Sequence, residues 1–113
     1  MAAIDLKRDQ WKSYFEGLTG YLEGKQACVE VAARALGHRV AAQWTPLVGM
    51  TYEDRDDILD LRLGDLSHII RRPVCIYLLM EGDAVGCIEV IDAEGVTHIV
   101  RLRDAVPPPA PAK

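Results

Sequence analysis

LVGMTYEDRDDILDLRL, residues 47–63, is the stretch on which the fold turns. Val48, Met50 and Tyr52 alternate up to a run of acids, and Leu59, Leu61 and Leu63 alternate after it, so the chain reads as two strands with a reversal between them. Aspartate suits such a reversal because its short carboxylate hydrogen-bonds the amides of its own turn and keeps the tip hydrated. A calcium loop of the helix–loop–helix kind needs an internal glycine and a closing glutamate, and this run has neither. Asp54, Asp56 and Asp57 are therefore expected to solvate a hairpin tip, with Asp60 on the polar side of an amphipathic strand.

Upstream the period changes. Trp11, Tyr14, Phe15, Leu18 and Leu22 lay one apolar stripe on a helix expected from about Leu6 to Leu22, with Gly20 and Gly24 as its stop. In QACVEVAAR, Ala27, Val29 and Val31 share one strand face and Cys28 shares the other with Glu30. Gly37 turns the chain, HRVAAQW aligns Val40, Ala42 and Trp44, and Pro46 is expected to interrupt that strand because proline cannot donate to a ladder. Gly49 marks a bend of the kind that lets a small sheet curl.

Downstream, Gly64-Asp65 makes a turn before the short strand LSHII, and RRP breaks the chain again. VCIYLLM is apolar on both faces, as a central strand or one packed beneath a helix would be. EGDA and Glu94-Gly95 connect the last strands as hairpins, and PPPAPA follows as an exposed polyproline-type tail. The expected class is α+β, an N-terminal helix packed on a small, curved antiparallel sheet or barrel of about six to seven strands, with an Sm- or SH3-like barrel as one form. A single domain is expected over residues 1–106, and a disordered proline-rich tail over 107–113.

A length of 113 residues, half of them hydrophobic and 27% charged, belongs to one globular domain. The net charge of −4 disfavours a nucleic-acid partner, which needs a basic face to release counterions, and Arg71-Arg72 is too small a patch to reverse this. The run Cys75–Met80 falls far short of the ~20 residues that span a bilayer, and no leader pattern opens the chain, so no membrane partner and a cytoplasmic location are expected. Cys28, Cys75 and Cys87 form no Cys-x-x-Cys pair and read as reduced, buried thiols.

As a set, Trp11 with Phe15, Gly24, VEV at 29–31, PLVG at 46–49, YEDRDD at 52–57, SHIIRRP at 67–73, EVIDAEG at 89–95 and IVRL at 99–102 resemble a family of small bacterial proteins known only as a domain of unknown function. The resemblance runs from about Ile4 to Pro107. Arg55 stands where that family commonly has proline or lysine in the acidic turn. It implies a bacterial origin and a shared compact fold, and no catalytic residue.

No catalytic site emerges from the residues either. Neither Ser13 nor Ser67 lies in a G-x-S-x-G elbow, and Ser67 and His68, adjacent on a strand, point apart. No Walker or G-x-G-x-x-G pattern cradles a phosphate, so no cofactor is expected. His38, His68 and His98 recur every thirty residues, which raises a metal site joining His68 to Asp60 or Asp65. His98, on a face with Val96, Val100 and Leu102, fits a hydrogen-bonded core residue better.

The leading expectation is a non-catalytic interaction module that forms a homodimer. Val74, Ile76, Leu78 and Met80 face one side of their strand and Cys75, Tyr77 and Leu79 the other, and one helix can cover only one of these sets. The second set would meet another copy, with Tyr77 as anchor. Two alternatives remain: a small metal- or ligand-binding protein or enzyme built on His68 and nearby carboxylates, and an Sm-like RNA binder, which the acidic balance and single phenylalanine oppose.

Overall fold

In the computed structural model, which describes residues 2–22, 25–33 and 37–109, the acidic run forms the tip of an antiparallel hairpin. Its arms are β3 (Gly37–Glu53) and β4 (Ile58–Leu63), with Met50 paired to Leu61 and Tyr52 to Leu59, all four buried. Val48 does not join them. A bulge between Leu47 and Gly49 makes it the extra residue of the ladder, so it stands 49% exposed and Leu47 takes the inner position.

Around this hairpin run β1 (Ala3–Leu6), α1 (Arg8–Leu22), β2 (Lys25–Ala33), β5 (Leu66–Arg71), β6 (Pro73–Glu81), β7 (Ala84–Asp92) and β8 (Thr97–Val106). All eight strands pair antiparallel in one sheet of order β1-β6-β7-β8-β2-β3-β4-β5. Eight strands stand where six to seven were expected, and two boundaries of the sequence reading are corrected. Ala3–Leu6, read partly as helix, is a short strand on β6, and HRVAAQW and LVGMTYE are one strand running through Pro46. The chain bends there without breaking, because Trp44 takes a positive φ of 40° and β2 shifts register beside it. Those shifts also part Val40, which pairs with Glu30 and lies exposed, from Ala42, which packs on the core.

Among the described residues β1 and β5 share no ladder, so the sheet is open and the barrel form is corrected. It is nonetheless curved. Side chains of β5 and β8, four places apart in strand order, meet inside it.

The helix lies in this concavity. Trp11, Phe15, Leu18 and Leu22 are buried with Leu47, Met50, Ile76, Leu78, Val90 and Val100 in one core. Lys7 precedes the first turn, and the Gln10 side chain accepts from its amide in half of a capping box. Gly20 lies inside the helix and not at its stop, and Gly24 is outside the described residues. A Cβ on Gly49 would lie 3.4 Å from Thr19 Cγ2, so the expected bend is also where α1 passes closest to β3.

Candidate functional site

Strand alternation gives the sheet two faces of different fate. Ile76, Leu78, Ile88, Val90 and Val100 point inward and are fully buried. Their neighbours point outward in three rows across β6, β7 and β8: Cys75–Ile91–Thr97, Tyr77–Glu89–Ile99 and Leu79–Cys87–Arg101. On β2 the rows continue through Ala32, Glu30 and Cys28. The structure thus brings Cys75, Tyr77 and Leu79 together on one outer face, each half-buried by its lateral neighbours. Val74 does not align with Ile76 and Leu78, because a register shift beside Pro73 leaves it 53% exposed.

The face mixes apolar and charged groups, for the row through Tyr77 also carries Asp5 on β1 and Glu89 on β7. Burial pushes the Cys87 thiol up to about 11, so it stays protonated at neutral pH. The Cys75 thiol beside Tyr77 raises that phenol. Arg101 donates to Glu30, which also lies 3.1 Å from His38, and the Arg101 hydrogen bond holds the Glu30 carboxyl below its ordinary range. Beside this pair opens a groove of about 510 Å³ lined by Leu79, Cys87, Glu89, Ile99 and Trp44, whose ring carries the Arg103 guanidinium at 4.5 Å.

The inner face holds a different constellation. His98, 7% exposed, places Nδ1 2.9 Å from His68 Nε2 and Nε2 3.0 Å from Asp92 Oδ2. The other Asp92 oxygen accepts the amides of Glu94 and Val96 and closes the β7–β8 turn. Burial pushes the Asp92 carboxyl up, but the His98 bond and the two amides outweigh it and leave the group below its ordinary value. Its carboxylate then accepts from His98 Nε2–H, which leaves His98 Nδ1 bare to accept from His68 Nε2–H. Burial, and then the neighbouring His98, lower the His68 pKa. Both His98 nitrogens are engaged, so the chain of bonds does structural work, tying the edge strand β5 to the β7–β8 turn.

The carboxylates paired with His68 in the sequence reading lie elsewhere. Asp60 opposes Ile69 on the outer side of β4, whereas His68 opposes Leu61 on the inner side, and Asp65 is exposed in the β4–β5 turn. Among the described residues no three His, Cys, Asp or Glu side chains converge as a metal site would require. His38 is exposed on β3, facing Glu30.

The acidic tip is tied to the helix. Asp57 Oδ1 accepts from the Tyr52 hydroxyl at 2.7 Å and from Arg8 at 3.3 Å, and Arg8 also donates to the Pro73 carbonyl while stacking on Trp11 at 4.4 Å. Burial first, then the Asp57 hydrogen bond, push the Tyr52 phenol up to about 12. Sequence reading missed this clasp, although a positive φ of 54° at Asp57 fits an aspartate closing a tight turn.

A curved antiparallel sheet wrapped on one helix defines a small α+β domain. The chain belongs to the family described as "Family of unknown function (DUF5335)", which it matches over residues 2–111. It is also similar to an "Uncharacterized protein" of Aquifex aeolicus (strain VF5), with 32% identity over 110 residues covering 96% of this chain and 99% of that one. No solved structure matches it.

Proposed function

We propose that the chain is a non-catalytic oligomerisation module that pairs with a second copy through the outer face of β6, β7 and β8. The observation that carries this is the face itself: Cys75, Tyr77, Leu79, Cys87, Ile91 and Ile99 lie side by side with no helix or strand above them among the described residues. A second copy suits it better than a charged partner. The Cys87 thiol and the Tyr77 phenol are neutral and Arg101 already has Glu30, which leaves Asp5 and Glu89 beside Tyr77 as the charges a two-fold pairing must keep hydrated, and such a pairing needs only one self-complementary patch. Glu89 opens into the groove beside Trp44, where water can remain on it. Three free cysteines support a reducing, cytoplasmic setting, and the Aquifex relative supports a bacterial one.

Sedimentation at micromolar concentration is expected to show a dimer burying over ~1,000 Å². Tyr77→Glu is expected to yield monomer while retaining the far-UV circular dichroism of the parent, because the substitution places an unpaired charge on an outer face. A parent chain that stays monomeric at every concentration would overturn the reading.

A further inference from the structure

Beside α1 lies a groove of about 360 Å³, bounded by that helix and by Pro107–Pro109, which follow the end of β8. Tyr14 and Tyr21 both line the groove, with Gly17 and Leu18 between them along the helix. Residues at i, i+3, i+4 and i+7 share one helix face, so both rings border a single trough floored by Gly17 and the buried Leu18. Gln10 and Ser13 supply the other polar groups, and among the described residues none of the lining is charged. The Tyr14 hydroxyl donates to the Pro107 carbonyl at 3.0 Å. Burial pushes that phenol up to about 12, so it remains a donor at any physiological pH. Tyr21 is a large aromatic side chain that stands 57% exposed among the described residues.

We infer that this groove is a docking site for a proline-rich segment of another polypeptide in the polyproline II conformation. The spacing supports that ligand. Seven helical positions separate the two tyrosines by ~10.5 Å along the axis, and one three-residue turn of polyproline II advances ~9.3 Å, so prolines three apart would meet the two rings in turn. The chemistry agrees. Polyproline II chains have unpaired carbonyls and no internal hydrogen bonds, and they are recognised by aromatic grooves whose ring hydroxyls or amides donate to those carbonyls. The Tyr14 to Pro107 bond is one such contact, made within the chain by a proline segment that already lines the groove. An uncharged trough gives no purchase to a phosphate or an acidic peptide. The incoming segment takes the place of Pro107–Pro109 and receives the Tyr14 hydroxyl on its own carbonyl. This site is separate from the outer face of β6, β7 and β8, and stands or falls independently of dimer formation.

The test is a titration of the full chain with the capped peptide Pro-Pro-Pro-Ala-Pro-Pro-Pro, followed by backbone amide shifts in α1, with a capped Gly-Ser repeat as control. The proline peptide is expected to shift Tyr14, Gly17 and Tyr21. A full-length variant carrying Pro107→Ala, Pro108→Ala and Pro109→Ala is expected to bind several-fold more tightly, because the competing segment is weakened. Tyr14→Phe keeps the ring and removes one neutral hydrogen bond, for an expected loss of about fivefold in affinity. Tyr21→Ala, at an exposed position, is expected to weaken binding at least as much without lowering the melting temperature. The proposal is overturned by an absence of α1 shifts in both parent and triple variant at millimolar peptide, by equal shifts with the Gly-Ser control, or by affinities indifferent to both tyrosine substitutions.

Discussion

His68 and His98 were separable from the other polar residues in the sequence only by the apolar company they keep. Their contact arises because the sheet curls far enough for β5 to face β8, a distance in strand order that no local pattern encodes. The bond has a pH consequence. His68 is held below the ordinary 6.5, so between its native value and 6.5 the unfolded chain binds more protons than the native one, and stability rises with pH across that interval. Asp92 and Glu30 are also held low, and their contributions are lost at more acidic pH, as pH falls through their native values. Urea midpoints are therefore expected to fall as pH drops below 6.5, and His68→Gln should flatten that first segment while leaving the more acidic one. An unchanged slope in the variant would remove His68 as the cause. The acidic tip behaves differently at this same scale, because its carboxylates already have protein cations: Arg8 for Asp57, and Lys12, 3.7 Å away, for Asp54. Millimolar calcium, magnesium or EDTA is expected to leave the melting temperature unchanged, both in the parent and with Asp54, Asp56 and Asp57 replaced by serine. A rise on adding metal would mean that the native state binds it.

At the level of elements, legibility followed periodicity. The stripe Trp11, Phe15, Leu18 and Leu22 was readable because a 3.6-residue period repeated over about three turns, and those residues are the buried ones. Ala3–Leu6 was not, since four residues with one acid among them show no period, and only pairing with β6 makes them a strand. Bulges were equally hidden. Val48 and Val74 fit the alternation around them, yet each stands exposed because one extra residue reverses the side it faces. The outer set Cys75, Tyr77 and Leu79 was legible for the converse reason, lying between two register shifts where the alternation is intact. Phe15 is fully buried between α1 and the sheet, so Phe15→Ala removes a ring from the middle of the core and is expected to cost ~3–5 kcal/mol. Urea denaturation measures this, and a loss below ~1 kcal/mol would show that α1 does not pack as described.

The whole molecule is an open sheet that behaves almost as a closed one. Its Cα radius of gyration is 13.0 Å, the size expected of a compact domain of this length. Closure is achieved without a final ladder: α1 fills the concavity, the His68–His98 contact crosses it, and the Arg72 amide reaches the Asp57 carbonyl while the Arg72 carbonyl takes the Ala93 amide. Three turns are thereby drawn to one end of the sheet. The cohesion is uneven, however. The strands β7, β8 and β2 lie in the middle of the order, each with a partner on both sides and the core beneath, whereas β5 has one neighbour and exposes Leu66 and Ile69. An edge held by one ladder, the buried Ile70 and a histidine contact opens at lower free energy than a centre whose exposure requires unpacking Val90 and Val100. Hydrogen exchange should therefore be slowest in Ile88–Val90 and Ile99–Leu102 and fastest among the strands at the two edges, Ala3–Leu6 and Ser67–Arg71. His68→Gln should speed exchange in β5 further without changing the central amides, because the contact it weakens joins only the edge to the turn. Uniform protection across all eight strands would instead mean that the sheet opens as one unit, with β5 locked to β8 more firmly than a pair of imidazoles can manage.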